Sequence, residues 1–220
     1  MQQTISQYFG MNIVGPEQLI IPILSDMYQW GKSYVQRLRK PGMYEVLNYE
    51  STLEILDDEG RTGIVRKVEE VKFLQDNIIA IQDQVWGINN AISDYMCSPG
   101  IPVDFYQTGH KTYIIISLRE IKSKGDIEKF NFQWKLEGKS IKKYGYWETF
   151  IGRSTNNLKA RIIYPKDRPP IRVWGIEQNK KKTIELDEKN LTQLPDKRWQ
   201  IVWEEKNPRL YENYTMKWEW

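Results

Sequence analysis

YEVLNYESTLEILDDEGRTGIVRKVEEVKFLQDNIIAIQDQVW, from Tyr44 to Trp86, is the stretch on which the reading of this chain turns. Leu47, Tyr49, Ser51, Leu53 and Ile55 alternate with Asn48, Glu50, Thr52 and Glu54, the period of a strand with one buried face. Asp57-Asp58-Glu59-Gly60 is an acidic, glycine-terminated turn, so a return strand should pair antiparallel with the first. On that return Ile64 and Val68 share a face, whereas Val71 and Phe73 resume on the other parity. The slip falls at Glu69-Glu70 and predicts a bulge or a strand that changes sheets. Ile78 to Ile81 is almost wholly apolar, which predicts a central strand covered on both sides, and Gln82, Asp83 and Gln84 lead on to Trp86-Gly87. The acidic tip lacks the alternating oxygens, central glycine and distal Glu of a calcium loop, so it reads as a solvated hairpin end.

Upstream, Met1 to Gly15 has no sustained period. From Pro16 to Lys40 the period becomes helical: Ile20, Leu24, Met27, Tyr34 and Leu38 lie near one face, with Ile23, Trp30 and Val35 flanking it. Pro16-Glu17 suits the start of a helix, Arg37, Arg39 and Lys40 suit its negative end, and Pro41-Gly42 stops it. Such an amphipathic helix either packs on the β region or on a second copy, or lies in a membrane interface with its aromatic side chains at headgroup depth. Trp30, Tyr34, Arg37 and Lys40 are the residues expected at a partner or membrane contact.

Downstream, Ile88 to Lys111 is punctuated by Asn89-Asn90, Ser98-Pro99-Gly100, Pro102 and Gly109 and reads as a long connection. It holds Cys97 and His110, the single members of their types. A nucleophilic pair would need the thiol activated by the base. Cys97 beside Met96 reads instead as an apolar filler and His110 as a turn residue. One Cys and one His cannot supply the usual zinc ligand set, and no cofactor is called for.

Beyond it come strand signals at short intervals: Tyr113 to Leu118; Phe130 to Leu136, leading through a hairpin at Gly138 to Tyr146 to Ile151; Leu158 to Tyr164; Ile171 to Ile176; Thr183 to Leu186; Trp199 to Trp203; and Tyr214 to Trp220. Ten or eleven strands with turn chemistry between them predict an antiparallel β-sandwich, one large or two small, preceded by the amphipathic helix. The expected division is 1–41 for lead and helix and 42–220 for the β region, with a subdivision near 119–127.

The chain of 220 residues is 40% hydrophobic and 13% aromatic, enough for a substantial core. It lacks an apolar run long enough to span a membrane, a secretory leader and any second cysteine, which together predict a cytoplasmic protein, peripheral to a membrane if the helix is interfacial. The net charge of +3 conceals an uneven distribution. Glu45 to Asp94 carries eleven acids against four bases, and Lys122 to Lys182 sixteen bases against six acids. The second region, with Trp134, Tyr144, Tyr146 and Trp147 interleaved, has the composition of a nucleotide or single-strand nucleic-acid binder. Lys142, Lys143, Lys180, Lys181 and Lys182 are the expected contacts to an anionic ligand. Period-2 aromatics and edge lysines are equally the ordinary furniture of a sheet.

Phosphate loops, Gly-x-Ser-x-Gly, His-Glu-x-x-His and Gly-x-Gly-x-x-Gly are missing. The expectation is a non-enzymatic interaction or ligand-sensing module, tethered or oligomerised through its helix and engaging a protein partner or its own copies. The alternatives are nucleic-acid binding through 122–182 and a hydrolase with a carboxylate pair distant in sequence.

Overall fold

The computed structural model describes residues 42–86, 92–109, 111–138, 143–187 and 189–220. The expected helix with Trp30, Tyr34, Arg37 and Lys40, together with His110 and Lys142, lies outside them. Fourteen strands follow one another: β1 (Tyr44–Ile55), β2 (Thr62–Phe73), β3 (Ile78–Trp86), β4 (Ile92–Ser98), β5 (Ile101–Thr108), β6 (Lys111–Lys122), β7 (Ile127–Glu137), β8 (Tyr144–Phe150), β9 (Thr155–Tyr164), β10 (Arg172–Glu177), β11 (Lys182–Glu185), β12 (Leu191–Gln193), β13 (Trp199–Lys206) and β14 (Asn213–Glu219). The described residues contain no helix, and hence none long and apolar enough to cross a membrane.

The strands form a seven-stranded sheet in the order β12-β13-β9-β1-β2-β7-β4, a four-stranded sheet β11-β10-β14-β8 and a three-stranded sheet β3-β6-β5. The hairpin of β1 and β2 pairs as expected, Ile55 opposite Gly63 and Tyr44 opposite Phe73. Its tip is set by Asp57, whose carboxylate accepts the backbone N–H groups of Glu59, Arg61 and Thr62 at 2.7 to 3.1 Å. All pairings are antiparallel except one: β1 runs parallel to β9. That pairing places β1 near the middle of the large sheet.

The two smaller sheets pack across the large one. Over β9 and β13 the contact is aromatic: Trp203 meets Tyr214 at 5.4 Å between ring centroids and Tyr164 meets Trp218 at 5.8 Å, both edge-on. Gly145, opposite Trp218 in β8, leaves room for that indole, since a Cβ there would come within 2.1 Å of it. Over β1 the Trp147 indole N–H donates to the Ser51 hydroxyl at 3.1 Å. Over β2 and β4 the contact to β3 is ionic and hydrogen-bonded, as described below.

Four expectations are corrected. The β2 parity never slips: Gly63, Val65, Lys67, Glu69, Val71 and Phe73 all face inward, and the register shift sits across from it, between Val46 and Asn48 of β1. The apolar run Ile78 to Ile81 lies on an edge strand, with Ile79 64% exposed, because β3 has β6 on one side only. The supposed long connection holds β4 and β5, joined at Pro99-Gly100. Finally, β7 and β8 are consecutive without pairing, since β7 lies between β2 and β4 whereas β8 belongs to the four-stranded sheet.

Candidate functional site

A period of two puts residues i and i+2 of a strand on one face, so the inward side of β2 carries Lys67 and Glu69 into the interior, and the inward side of β3 carries Asp83. All three are buried. The Lys67 ammonium pairs with Asp83, lies 3.1 Å from the Glu69 carboxylate and sits 4.4 Å above the centroid of the Phe132 ring. Tyr95 of β4 donates its hydroxyl to Asp83 at 2.8 Å, and the Gln84 backbone N–H donates to the same carboxylate at 2.7 Å. Burial pulls the Lys67 ammonium down, but Asp83 and then Glu69 outweigh it and hold it above the usual lysine range. Burial, and then Asp83, pushes the Tyr95 hydroxyl far up, and burial does the same for Tyr44 and Tyr49. At neutral pH the cluster is therefore a charged lysine among neutral phenols.

Next to this cluster is a cavity of about 860 Å³. Its floor is the inward face of β1, β2 and β7, including Ser51, Leu53, Lys67, Trp134 and Leu136, and it extends along β1 from Val46 to Ile55, about 30 Å at the rise of a strand. Buried Lys67 lies at mid-length, opposite Ser51, with its partner Asp83 beside it and Glu69 one step towards the Val46 end; beyond Ile55, exposed Arg61, Thr62 and Glu137, together with exposed Tyr146, form a mouth. Five consecutive residues of β8, Tyr146 to Phe150, line it, and so do three consecutive residues of β3, Asp83 to Val85. A cavity beneath a sheet touches alternate residues; one that touches both parities lies along a strand edge. The cavity thus occupies a seam lined by β3 and β8, each an edge strand of its own small sheet, which no pairing joins among the described residues. Three lining residues carry buried polar atoms with no hydrogen-bond partner among the described residues: the indole nitrogens of Trp134 and Trp218 and the hydroxyl of Thr149.

The two edges differ. In β8 the odd residues face β14, as the Trp220 N–H to Lys143 carbonyl bond and the two bonds of Ile151 with Tyr211 and Glu212 show. The N–H and C=O groups of Tyr146, Glu148 and Phe150 therefore point to the free edge. On β3 the corresponding groups are partly covered by side chains: Arg153 donates to the Gln82 carbonyl at 3.4 Å and Asp83 accepts from Gln84. Arg153, stacked 4.6 Å from the Tyr44 ring, thereby bridges the seam at its buried end.

Models of known protein families and curated proteins give no match to the chain. Among solved structures it is similar to an M1 zinc metallopeptidase from Deinococcus radiodurans, with a TM-score of 0.46 and 8% identity over 79% of this chain. A mutant of that enzyme bound to a Tyr-Ser-Ala substrate gives 0.47, and a two-domain M1 zinc metallopeptidase mutant bound to L-tryptophan gives 0.49, again at 8% identity. The chain spans 42% of the length of each. A likeness of this size bears on neither activity nor ligand. No group of three or more His, Cys, Asp or Glu among the described residues is placed to hold a metal ion.

Of the lysines expected to meet an anion, the four among the described residues are not all brought together. Lys143 precedes β8 beside Glu219, whereas Lys180, Lys181 and Lys182 sit at the far end of the same sheet, where Glu177 pairs with Tyr214. Six residues along β14, about 20 Å, separate the two groups. Lys180 and Lys182 are spent on Glu177, at 2.5 and 3.2 Å. Burial raises that carboxyl, but the two lysines outweigh it and hold it below the usual carboxylate range. The thiol of Cys97 is pushed up by burial and by Asp83, which keeps it a thiol at neutral pH and disfavours the nucleophilic thiolate. Sequence reasoning passed over Lys67, Glu69, Asp83 and Arg153. The signal for the first two was their position in an otherwise unbroken inward alternation.

Proposed function

We propose that the chain is a non-enzymatic β-sandwich module that takes a ligand, or a segment of a partner protein, into the seam cavity, while residues 1–41 tether it or bring copies together. The cavity carries this reading: about 860 Å³, the size range of a ligand site, with an apolar stretch of floor at Leu53, Ile55 and Leu136 and polar atoms at its edge that have no partner among the described residues. The buried lysine supports a binding role over a catalytic one. It is saturated by two carboxylates and held protonated, so it is unsuited to act as a base at neutral pH.

The test uses 1-anilinonaphthalene-8-sulfonate with tryptophan emission as the readout, since Trp134, Trp147 and Trp218 all line the cavity. Saturable one-to-one dye binding is expected, and Thr149→Trp, which puts an indole into the cavity, should weaken it markedly while the circular dichroism spectrum stays that of the folded chain. Unchanged dye binding in Thr149→Trp would sink the proposal. For the tether, removal of residues 1–40 should change the oligomeric state or abolish binding to anionic liposomes, and loss of neither would reject that part.

A further inference from the structure

We infer that the free edge of β8 is a strand-addition site, and that its occupant is an extended segment of a partner protein with aliphatic side chains at alternate positions. This rests on the seam cavity being the binding site and specifies what enters it. The main-chain groups of Tyr146, Glu148 and Phe150 point away from β14 and into the seam, spaced two residues apart as a strand requires. An added strand would find donors and acceptors in register along the whole of β8. A compact small molecule would meet only part of a slot about 30 Å long.

The choice of β8 over β3 follows from what covers each edge. Arg153 and Asp83 already occupy the Gln82 carbonyl and the Gln84 N–H of β3, a common way of blunting an edge. Among the described residues no side chain covers the corresponding groups of β8 in this way. Tyr146 is 75% exposed and its side chain points outward, so it does not close the slot. Side chains of the incoming strand would alternate. One set would drop onto the floor of Leu53, Ile55 and Leu136, and the other would face solvent beside Tyr146. Aliphatic residues suit the first set, because the half of the floor nearer the hairpin tip, with Leu53, Ile55 and Leu136, is apolar, and it turns polar only from Ser51 and Lys67, which face each other across β1 and β2. Affinity in this mode comes from main-chain bonds, and selectivity from the alternate side chains.

The probe is a degenerate pool of acetylated, amidated heptapeptides with valine, isoleucine or leucine at positions two, four and six and threonine or lysine between. Fluorescence anisotropy against the full chain should recover binders. N-methylation of the amides that face β8 should weaken the best of them at least tenfold, because it removes the donors without altering a side chain. Tyr146→Pro should have the same effect, since it deletes an N–H that β14 does not use, and Tyr146→Val, which keeps that N–H, should restore binding. Circular dichroism checks that each variant folds. Saturable dye binding with no peptide recovered, or equal binding of the methylated peptide, would overturn strand addition and leave the cavity reading intact. Dye binding that Thr149→Trp does not disturb would instead remove the reading beneath it. A concentration-dependent dimer that Tyr146→Pro dissolves would put a second copy in place of the partner and also overturn the inference.

Discussion

The two small sheets are held to the seven-stranded sheet by opposite means. The four-stranded sheet sits on stacked aromatic area, with Trp203, Tyr214, Tyr164 and Trp218 in edge-on contact and Trp220 closing the cluster 5.9 Å from Trp218. The three-stranded sheet is joined through Lys67, Asp83, Glu69 and Tyr95, a buried network in which every charge depends on another. Aromatic burial is additive and tolerant: it stabilises roughly in proportion to area. A buried ion cluster contributes little net stability compared with well-packed apolar residues, yet is costly to break in part. The fold therefore has one anchorage that degrades gradually and one that fails abruptly, and the cavity lies between them.

That contrast can be tested from its largest consequence downward. Lys67→Met strands two buried carboxylates and should destabilise the chain by about 3–5 kcal/mol in urea unfolding, whereas the triple replacement Lys67→Met, Glu69→Leu, Asp83→Leu should recover most of the loss. If the triple variant were no better than the single, the cluster would not act as one unit. On the aromatic side, Trp218→Ala should cost a similar 3–5 kcal/mol, while Gly145→Ala, forced against that indole, should cost about 1–3 kcal/mol. The pH limbs should also separate the two regions. Because Lys67 is raised in the folded chain, its contribution is complete below the unfolded lysine value of about 10.5 and is lost as pH rises through the folded value. Lys67→Met should therefore change the alkaline limb of a melting-temperature profile. Glu177 is lowered, so its contribution is present above 4.5 and is lost as pH falls through the folded value. Glu177→Gln should flatten the acid limb and leave the alkaline limb alone. The smallest effect concerns Cys97, which should react with a disulfide reagent at neutral pH several-fold more slowly in the native chain than in urea, since burial and Asp83 keep it a thiol.

The hairpin of β1 and β2 was readable because its alternation is strict and its turn is chemically explicit. The same alternation continues through Lys67 and Glu69, but charged residues at inward positions imitate a slip in parity, and a pattern of hydropathy alone cannot distinguish buried ions from a bulge. The apolar run at the start of β3 misleads in the reverse direction: Ile79 is exposed although its neighbours suggest a covered strand. β4 and β5 were masked by Pro99, Gly100 and Pro102, breakers that here form and flank the short turn by which the chain passes from the seven-stranded to the three-stranded sheet. The cavity was beyond sequence reading, because it belongs to no segment; it arises where β3 and β8, 58 residues apart at their nearest ends, leave their edges unjoined.

The parallel pairing of β1 with β9 bears on the order in which the chain can assemble. Asn157 donates to the Leu47 carbonyl across 110 residues of sequence, and β13 then adds to β9 from still further along. On a ribosome adding about 5–20 residues per second, β1 waits on the order of 5–20 s after its own synthesis for that neighbour. During that interval β2 and β7 can already be in place on its other side. Until β9 arrives, β1 presents the unpaired border of a nascent sheet, and Glu50, Thr52 and Glu54 along it would discourage adventitious pairing with another chain.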